Sequence, residues 1–389
     1  MSSIQKYYSS PVSSGRTLTW SGVLVFIFAY RCLCSVVAER VIMRLTHIGD
    51  TWTYQRGLVL ESYAEQGWGA DGIFSFNNSI FSTVITSRIG GFFNSISGGS
   101  PIMVNIGFQS ITFVGLVYLL WSVDGPARKW MALLVMLPSF SIWTSMASKE
   151  SIVACALAIL SGYMLRMYSH RARISVFPIL AFVTLYIFKP QYLIALLFGV
   201  VGTWICFRVK QKALVALFGG VFSILILFLF RDKVDEMAFG VQRLFLVTEF
   251  GGSSRIVPFF VDQYDVFFKA PTGMYRAFMG PEIVDIFRSP LSLITYAEST
   301  FMLLLLTVIA ASQFRTLPIY NLIISAFILF WIIFPNYPLG IMNVGTAVRY
   351  RSGWIVLVMA VIVGLMTRRA YSGWAGQSFK KDSVEPKSI

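Results

Sequence analysis

Residues 18–38 read Leu18-Thr19-Trp20-Ser21-Gly22-Val23-Leu24-Val25-Phe26-Ile27-Phe28-Ala29-Tyr30-Arg31-Cys32-Leu33-Cys34-Ser35-Val36-Val37-Ala38, a long apolar run with a single charge. A bilayer selects such a segment. About 20 residues rising about 1.5 Å each cross a hydrocarbon layer about 30 Å thick, and a helix satisfies all its own backbone groups there. The one charge, Arg31, is expensive at that depth and must snorkel or pair.

Comparable runs recur at about 101–121, 130–146, 151–167 and 174–188, then before Arg208, at 213–230, 290–312 and 317–334, and before Arg368-Arg369. With 18–38 they make ten. The expected fold is therefore all-α: a polytopic integral membrane bundle of about ten transmembrane helices. It forms one domain over 1–370, followed by a polar tail at 371–389. Composition points the same way, with 56% hydrophobic and only 13% charged residues and a mean hydropathy of +0.69. A soluble surface needs roughly a quarter charged residues.

Ten spans put both termini on one side of the membrane. That side carries 16 Lys/Arg against three acids, and the other carries 15 against 14, with Arg31 and Glu298 inside spans. Excess positive charge in short loops marks the cytoplasmic side. The expectation is a multi-pass protein of a bacterial inner membrane with both termini cytoplasmic. Two larger loops, about 39–100 and 231–289, then face outward. The net charge of +14 reads as membrane topology, and no nucleic-acid partner is expected. The first run lacks a small-residue cleavage site and reads as a retained span. Cys32, Cys34, Cys155 and Cys206 lie in or beside apolar runs without metal-ligand spacing. No internal repeat is visible, which counts against an inverted-repeat transporter.

Charges set against span ends on the outward face carry the chemical interest: Asp50, Lys149, Glu150, Lys189, Arg349 and Arg351. Lys and Arg at such a mouth suit an anionic lipid head group, a phosphate or pyrophosphate, and a carboxylate beside them could deprotonate an incoming hydroxyl. Each residue also has a plainer reading. Asp50 in Gly49-Asp50-Thr51 suits a turn or helix cap, and Lys149-Glu150 suits the start of a span. Lys189-Pro190 suits a span terminator, and Arg349 with Arg351 suits interfacial anchoring. On an extended segment Arg349 and Arg351 would point to opposite sides, so one of them at most reaches substrate. Glu298, two turns into its span, must pair, and Arg31 is the candidate partner.

Several chemistries are excluded. The sequence has no Walker loop, dinucleotide fingerprint, His-Glu-x-x-His or nucleophile elbow. His47 and His170 fall on opposite faces, against a His-built metal site or a Ser-His triad. The cytoplasmic loops are too short for a soluble nucleotide-sugar domain, so a transferase of this shape would take its donor from a lipid carrier.

Gly49, Asp50 and Tyr54 form a Gly-Asp-x-x-x-Tyr pattern that resembles the first-loop acid of multi-span, lipid-carrier-dependent glycosyltransferases of the GT-C class. Pro138-Ser139, Trp143-Thr144-Ser145 and Lys149-Glu150 resemble a pattern in membrane proteins of bacterial surface-polysaccharide clusters, including O-antigen and exopolysaccharide polymerases. Asn343-x-Gly345-Thr346 with Arg349 and Arg351 is similar to the segment before the last span of such proteins. Arg88 and Gly99 match an Arg-ten-residues-Gly spacing found in some of them. The resemblance covers most of the chain in topology and some 20 residues in motif.

The resemblance implies transfer of a sugar or oligosaccharide repeat from a polyprenyl (pyro)phosphate carrier to an acceptor hydroxyl on the outer side. The partners would be that donor, a glycan or lipid-linked acceptor and membrane lipids. Asp50 would be the base, and Glu150 would orient a basic partner. Lys149, Lys189, Arg349, Arg351, Arg88 and Tyr54 would bind substrate. A single Asp50 in place of a paired-acid motif assigns no metal site, so a divalent cation is the one cofactor left open. The alternative is a transporter or flippase of the same lipid-linked glycans, using the basic cavity without a catalytic acid.

Overall fold

The computed structural model describes residues 14–45, 49–58, 76–123, 125–168, 175–247, 255, 257–287, 290–314 and 318–378. The tail 1–13, His47, Asp124, His170 and residues 379–389 lie outside them. The described residues are helical, with no strand among them. In chain order the helices are α1 (Ser14–Val37), α2 (Gly49–Arg56), α3 (Phe76–Ile96), α4 (Pro101–Trp121), α5 (Pro126–Leu134), α6 (Pro138–Trp143), α7 (Lys149–Tyr168), α8 (Val176–Phe188) and α9 (Gln191–Arg208). There follow α10 (Lys212–Leu229), α11 (Arg231–Val247), α12 (Asp265–Phe268), α13 (Ala270–Met279), α14 (Ile283–Ile286), α15 (Pro290–Phe314), α16 (Ile319–Ile333), α17 (Tyr337–Gly340) and α18 (Val344–Ser378).

Among the described residues, six helices are long and apolar enough to cross a membrane: Trp20–Ile42, Pro101–Trp121, Lys149–Met167, Lys212–Leu229, Ser292–Ser312 and Val344–Gly364. Three shorter apolar helices, Val176–Phe188, Gln191–Cys206 and Ile319–Ile333, accompany them. The last helix runs on to Ser378, past the Arg368-Arg369 pair expected to end it.

The run at 130–146 departs from expectation, because it is not one helix. α5 ends at Leu134, Val135 to Leu137 turn, and α6 starts at Pro138. Proline has no N–H to continue a ladder but suits a first turn. Nine and six residues rise only about 14 and 9 Å, short of a crossing. Irregular backbone survives at membrane depth only when protein groups satisfy it. Residues 144–148, after α6, are fully buried. Arg31 donates to the carbonyl and hydroxyl of Thr144 (3.3 and 2.8 Å), and Thr112 donates to the same carbonyl. Ser35 donates to the Ser145 carbonyl, and the Ala147 amide donates to Asn105.

Arg31 therefore serves the broken segment, and its cation also lies over the Phe140 ring at 5.4 Å. The expected Arg31–Glu298 pair does not form. Glu298 instead accepts from the amide and hydroxyl of Ser139, at 2.8 and 2.5 Å. That carboxylate holds the start of α6, where the helix leaves its first N–H groups without internal partners.

α7 is the hub, packed against α4, α8 and α18. A Cβ on Gly115 would come within 2.5 Å of the Cys155 carbonyl oxygen, so the backbones of α4 and α7 meet where only glycine fits. The described residues of the 231–289 segment are also built largely from helices. α11 to α13 pack with the 334–342 region around Phe260, Val266, Phe334 and Tyr337. Gln242 pins this cap through both ends of its amide, donating to the Phe260 carbonyl and accepting from the Phe259 and Phe260 amides.

Candidate functional site

Each element brings its charge to one place for a local reason. α2 begins at Gly49, so Asp50 sits in a first turn, where a carboxylate meets the positive end of the helix. α2 is fixed by glycine: a Cβ on Gly90 of α3 would lie 1.8 Å from the Tyr54 carbonyl oxygen, and Gly57 ends the helix at φ +67° against Gly91. The buried turn 144–148 delivers Lys149 and Glu150 as the first two residues of α7. α8 ends at Phe188, and Lys189-Pro190 turns the chain into α9. Asn343 accepts the Thr346 amide at 3.0 Å, which caps α18 and places Arg349 in its second turn.

These charges meet around Arg349. Its Nη2 lies 3.6 Å from Asp50 Oδ2, and its Nε lies 3.2 Å from Glu150 Oε2. The Glu150 side chain is 3% exposed and that of Asp50 is 53% exposed. Glu150 is thus the inner, holding carboxylate and Asp50 the one open to a substrate. Lys149 and Lys189 are electrostatic neighbours of each other and of both carboxylates. Partial burial holds the Lys189 ammonium below the usual lysine range; Glu150 opposes the shift and Arg349 adds to it. Lys189 Nζ lies 4.5 Å from the centre of the Tyr350 ring. Three cations face two carboxylates, so a bound anion would complete the neutralisation.

A cavity of about 520 Å³ adjoins the two lysines. Apart from Lys149, Lys189, Ser82 and Gln191 its wall is apolar, with Leu227, Met237, Trp331 and Phe334 among the lining side chains.

Two expected substrate-binding residues, Arg351 and Arg88, stand elsewhere, and a third, Tyr54, adjoins the cluster but is buried. Arg351 is buried at 2% exposure and donates to Ser299 (2.5 Å), to the Phe278 carbonyl (2.6 Å) and to Ser139 Oγ (3.3 Å). Residues 349–351 are helical, not extended. A two-residue step turns the side chain by about 200°, which separates Arg349 from Arg351 as surely as a strand would. Arg88 is exposed on α3, whose neighbouring Thr86, Ser87 and Gly90 are buried. Tyr54 adjoins Asp50 and Arg349 but is buried at 2%, packed into the bundle instead of facing an open site.

A supporting network lies beside the cluster. Glu39, in a π-helical turn over Ala38–Ile42 that extends α1, accepts from Gln55 of α2 (2.6 Å) and from Asn105 of α4 (3.1 Å). The signal is present in the sequence as spacing. Arg31, Ser35 and Glu39 recur every four residues, and Asn105, Gln109 and Thr112 follow helical spacing, so each set lines one helix face. Among the described residues no group of three or more His, Cys, Asp or Glu gathers to hold a metal ion. Comparison of the chain with protein-family models, with curated proteins and with solved structures finds no match.

Proposed function

We propose that this protein is a membrane glycosyltransferase, of single-sugar or polymerase type. It would act at the outer face of a bacterial inner membrane and take its sugar or oligosaccharide repeat from a polyprenyl (pyro)phosphate. The observation that carries this reading is Arg349 held between a buried carboxylate, Glu150, and an open one, Asp50, beside two lysines. Such a site offers a proton acceptor to a nucleophile and positive charge to a leaving group, the two demands of glycosyl transfer from a phosphate carrier.

In this reading the acceptor hydroxyl gives its proton to Asp50 as its oxygen bonds to the anomeric carbon. The bond from that carbon to the carrier phosphate oxygen breaks, and the phosphate leaves with the electron pair onto Lys149, Lys189 and Arg349. Glu150 holds the guanidinium in place, and its burial keeps it from competing as the base. No step is routed through a metal ion. A flippase of the same lipids would need the cations but no open carboxylate.

The test is the surface-glycan profile of cells lacking the protein. Loss of long chains with one repeat retained marks a polymerase. Loss of one sugar from an otherwise normal glycan marks a single-sugar transferase. An unchanged glycan profile would overturn the proposal.

A further inference from the structure

The cavity beside the cluster has both halves of an amphiphile's complement. Lys149 and Lys189 supply positive charge, and residues from α10, α11 and α16, among them Leu227, Met237 and Trp331, supply an apolar wall. Water gains little from such a wall, whereas a hydrocarbon chain is driven onto it by removal of its surface from solvent. A volume of about 520 Å³ falls within the roughly 300–1,000 Å³ of ordinary ligand pockets. It is too small for a whole polyprenyl chain and fits the part nearest a head group.

The cations divide by position. Arg349 is committed to Asp50 and Glu150, and Arg351 to Ser139, Ser299 and the Phe278 carbonyl. Lys149 and Lys189 are the charged side chains in the cavity wall. A ligand seated there would lie on the lysine side of Arg349. Asp50, at 53% side-chain exposure, does not line the cavity and remains open to an acceptor.

We propose that this cavity is a seat for a single anionic isoprenoid lipid, its phosphate on Lys149 and Lys189 and its first isoprene units against the apolar wall. The seat rests on the reading of this cluster as a carrier-dependent transferase, and it deepens that reading in two ways. It narrows recognition of the carrier phosphate to the lysine pair, and it makes recognition of the carrier independent of the sugar. The spent carrier, a lipid phosphate without glycan, then occupies the same seat and inhibits.

Binding to the purified full-length protein in detergent, followed by isothermal titration calorimetry, tests this with three probes. Farnesyl phosphate should bind at least about tenfold tighter than farnesol or inorganic phosphate. The double substitution Lys149→Gln, Lys189→Gln should reduce farnesyl phosphate to the level of farnesol, whereas Lys189→Arg, which keeps the charge, should retain it. Met237→Trp should weaken farnesyl phosphate while leaving the lysines in place. Size-exclusion profiles matching the wild type would confirm that the variants fold. Equal affinity for inorganic and farnesyl phosphate would remove the apolar seat, and equal affinity for farnesol would remove the lysine head site. Binding without sugar transfer would keep the seat and discard the transferase. Transfer without saturable binding would discard the seat alone.

Discussion

Arg349 and Glu150 form a 3.2 Å ion pair between the first turn of α7 and the second turn of α18, the two helices at the heart of the bundle. With side-chain exposures of 19% and 3%, the pair is sheltered from the screening that makes surface pairs weak. It joins the helix that carries Lys149 to the helix whose preceding loop packs on the cap formed by α11 to α13. Several consequences of this arrangement can be measured.

Removing one partner leaves the other charge buried. Arg349→Gln or Glu150→Gln alone should destabilise the protein, by about 3 kcal/mol for a buried pair broken on one side. Removing both should recover part of that loss, because no uncompensated charge remains. Thermal unfolding of the purified singles and the double, combined as a cycle, measures the coupling. Strictly additive losses would mean that the two side chains do not interact.

The placement of Asp50 depends on the glycine contact between α2 and α3. Gly90→Ala puts a methyl where the Tyr54 carbonyl oxygen now lies. It should cost about 1–3 kcal/mol, as overpacking does, and move Asp50 away from Arg349. Gly22→Ala in α1 is the control, since nothing lies within 4 Å of the added carbon. It should be neutral or slightly stabilising. Melting temperatures of the two variants decide the point.

How much of this was legible in the sequence varies with the residue. The helical membrane class followed from run length and charge, because hydrocarbon thickness and backbone satisfaction leave few other solutions. The charges Asp50, Lys149, Glu150, Lys189 and Arg349 could be picked out because ionisable groups set against the ends of apolar runs are costly. The break at 134–138 was hidden, since an apolar run ending at a proline reads equally as one span or two short helices. The destination of Arg351 was hidden too, for it depends on the Phe278 carbonyl and on Ser299, far away in sequence. The Glu39–Gln55–Asn105 network was written in the four-residue spacing along α1 and the polar face of α4, but only the fold brings those faces together.

Ser139 is the joint of a second, partly buried network, between Glu298 and Arg351. Ser139→Ala removes the hydroxyl that Glu298 accepts and that Arg351 contacts, while the Ser139 amide still serves Glu298 and Ser299 still serves Arg351. It should cost about 1–3 kcal/mol, the range for losing hydrogen bonds to charged partners. Trp121→Phe, on the exposed end of α4, should cost far less. Chemical unfolding in detergent separates the two.

Acid should loosen the cap formed by α11 to α13 before the bundle. Burial opposes ionisation of Asp265, but the Lys269 ammonium at 2.7 Å and the amides of Val261 and Asp262 outweigh it and hold the carboxyl at about 2. The unfolded value is about 3.9. Because the folded value is the lower, the stabilisation is fully present above about pH 5 and drains away as pH falls through about 4 towards 2. Hydrogen exchange across residues 257–287 should therefore rise over that interval. In Lys269→Met the dependence should move to higher pH and shrink.

The most direct test of the central claim is Asp50→Asn, introduced into cells lacking the protein and read out by the ladder and mass of their surface glycan. The change keeps the size of a half-exposed side chain and removes its ability to take a proton together with its charge towards Arg349, while the sheltered Arg349–Glu150 pair stays in place. The account predicts normal membrane insertion and abundance, with glycan transfer reduced by about 10²–10⁴-fold, the usual contribution of a general base. Full restoration of the wild-type glycan by Asp50→Asn would contradict it, and would leave the cations serving lipid movement without catalysis.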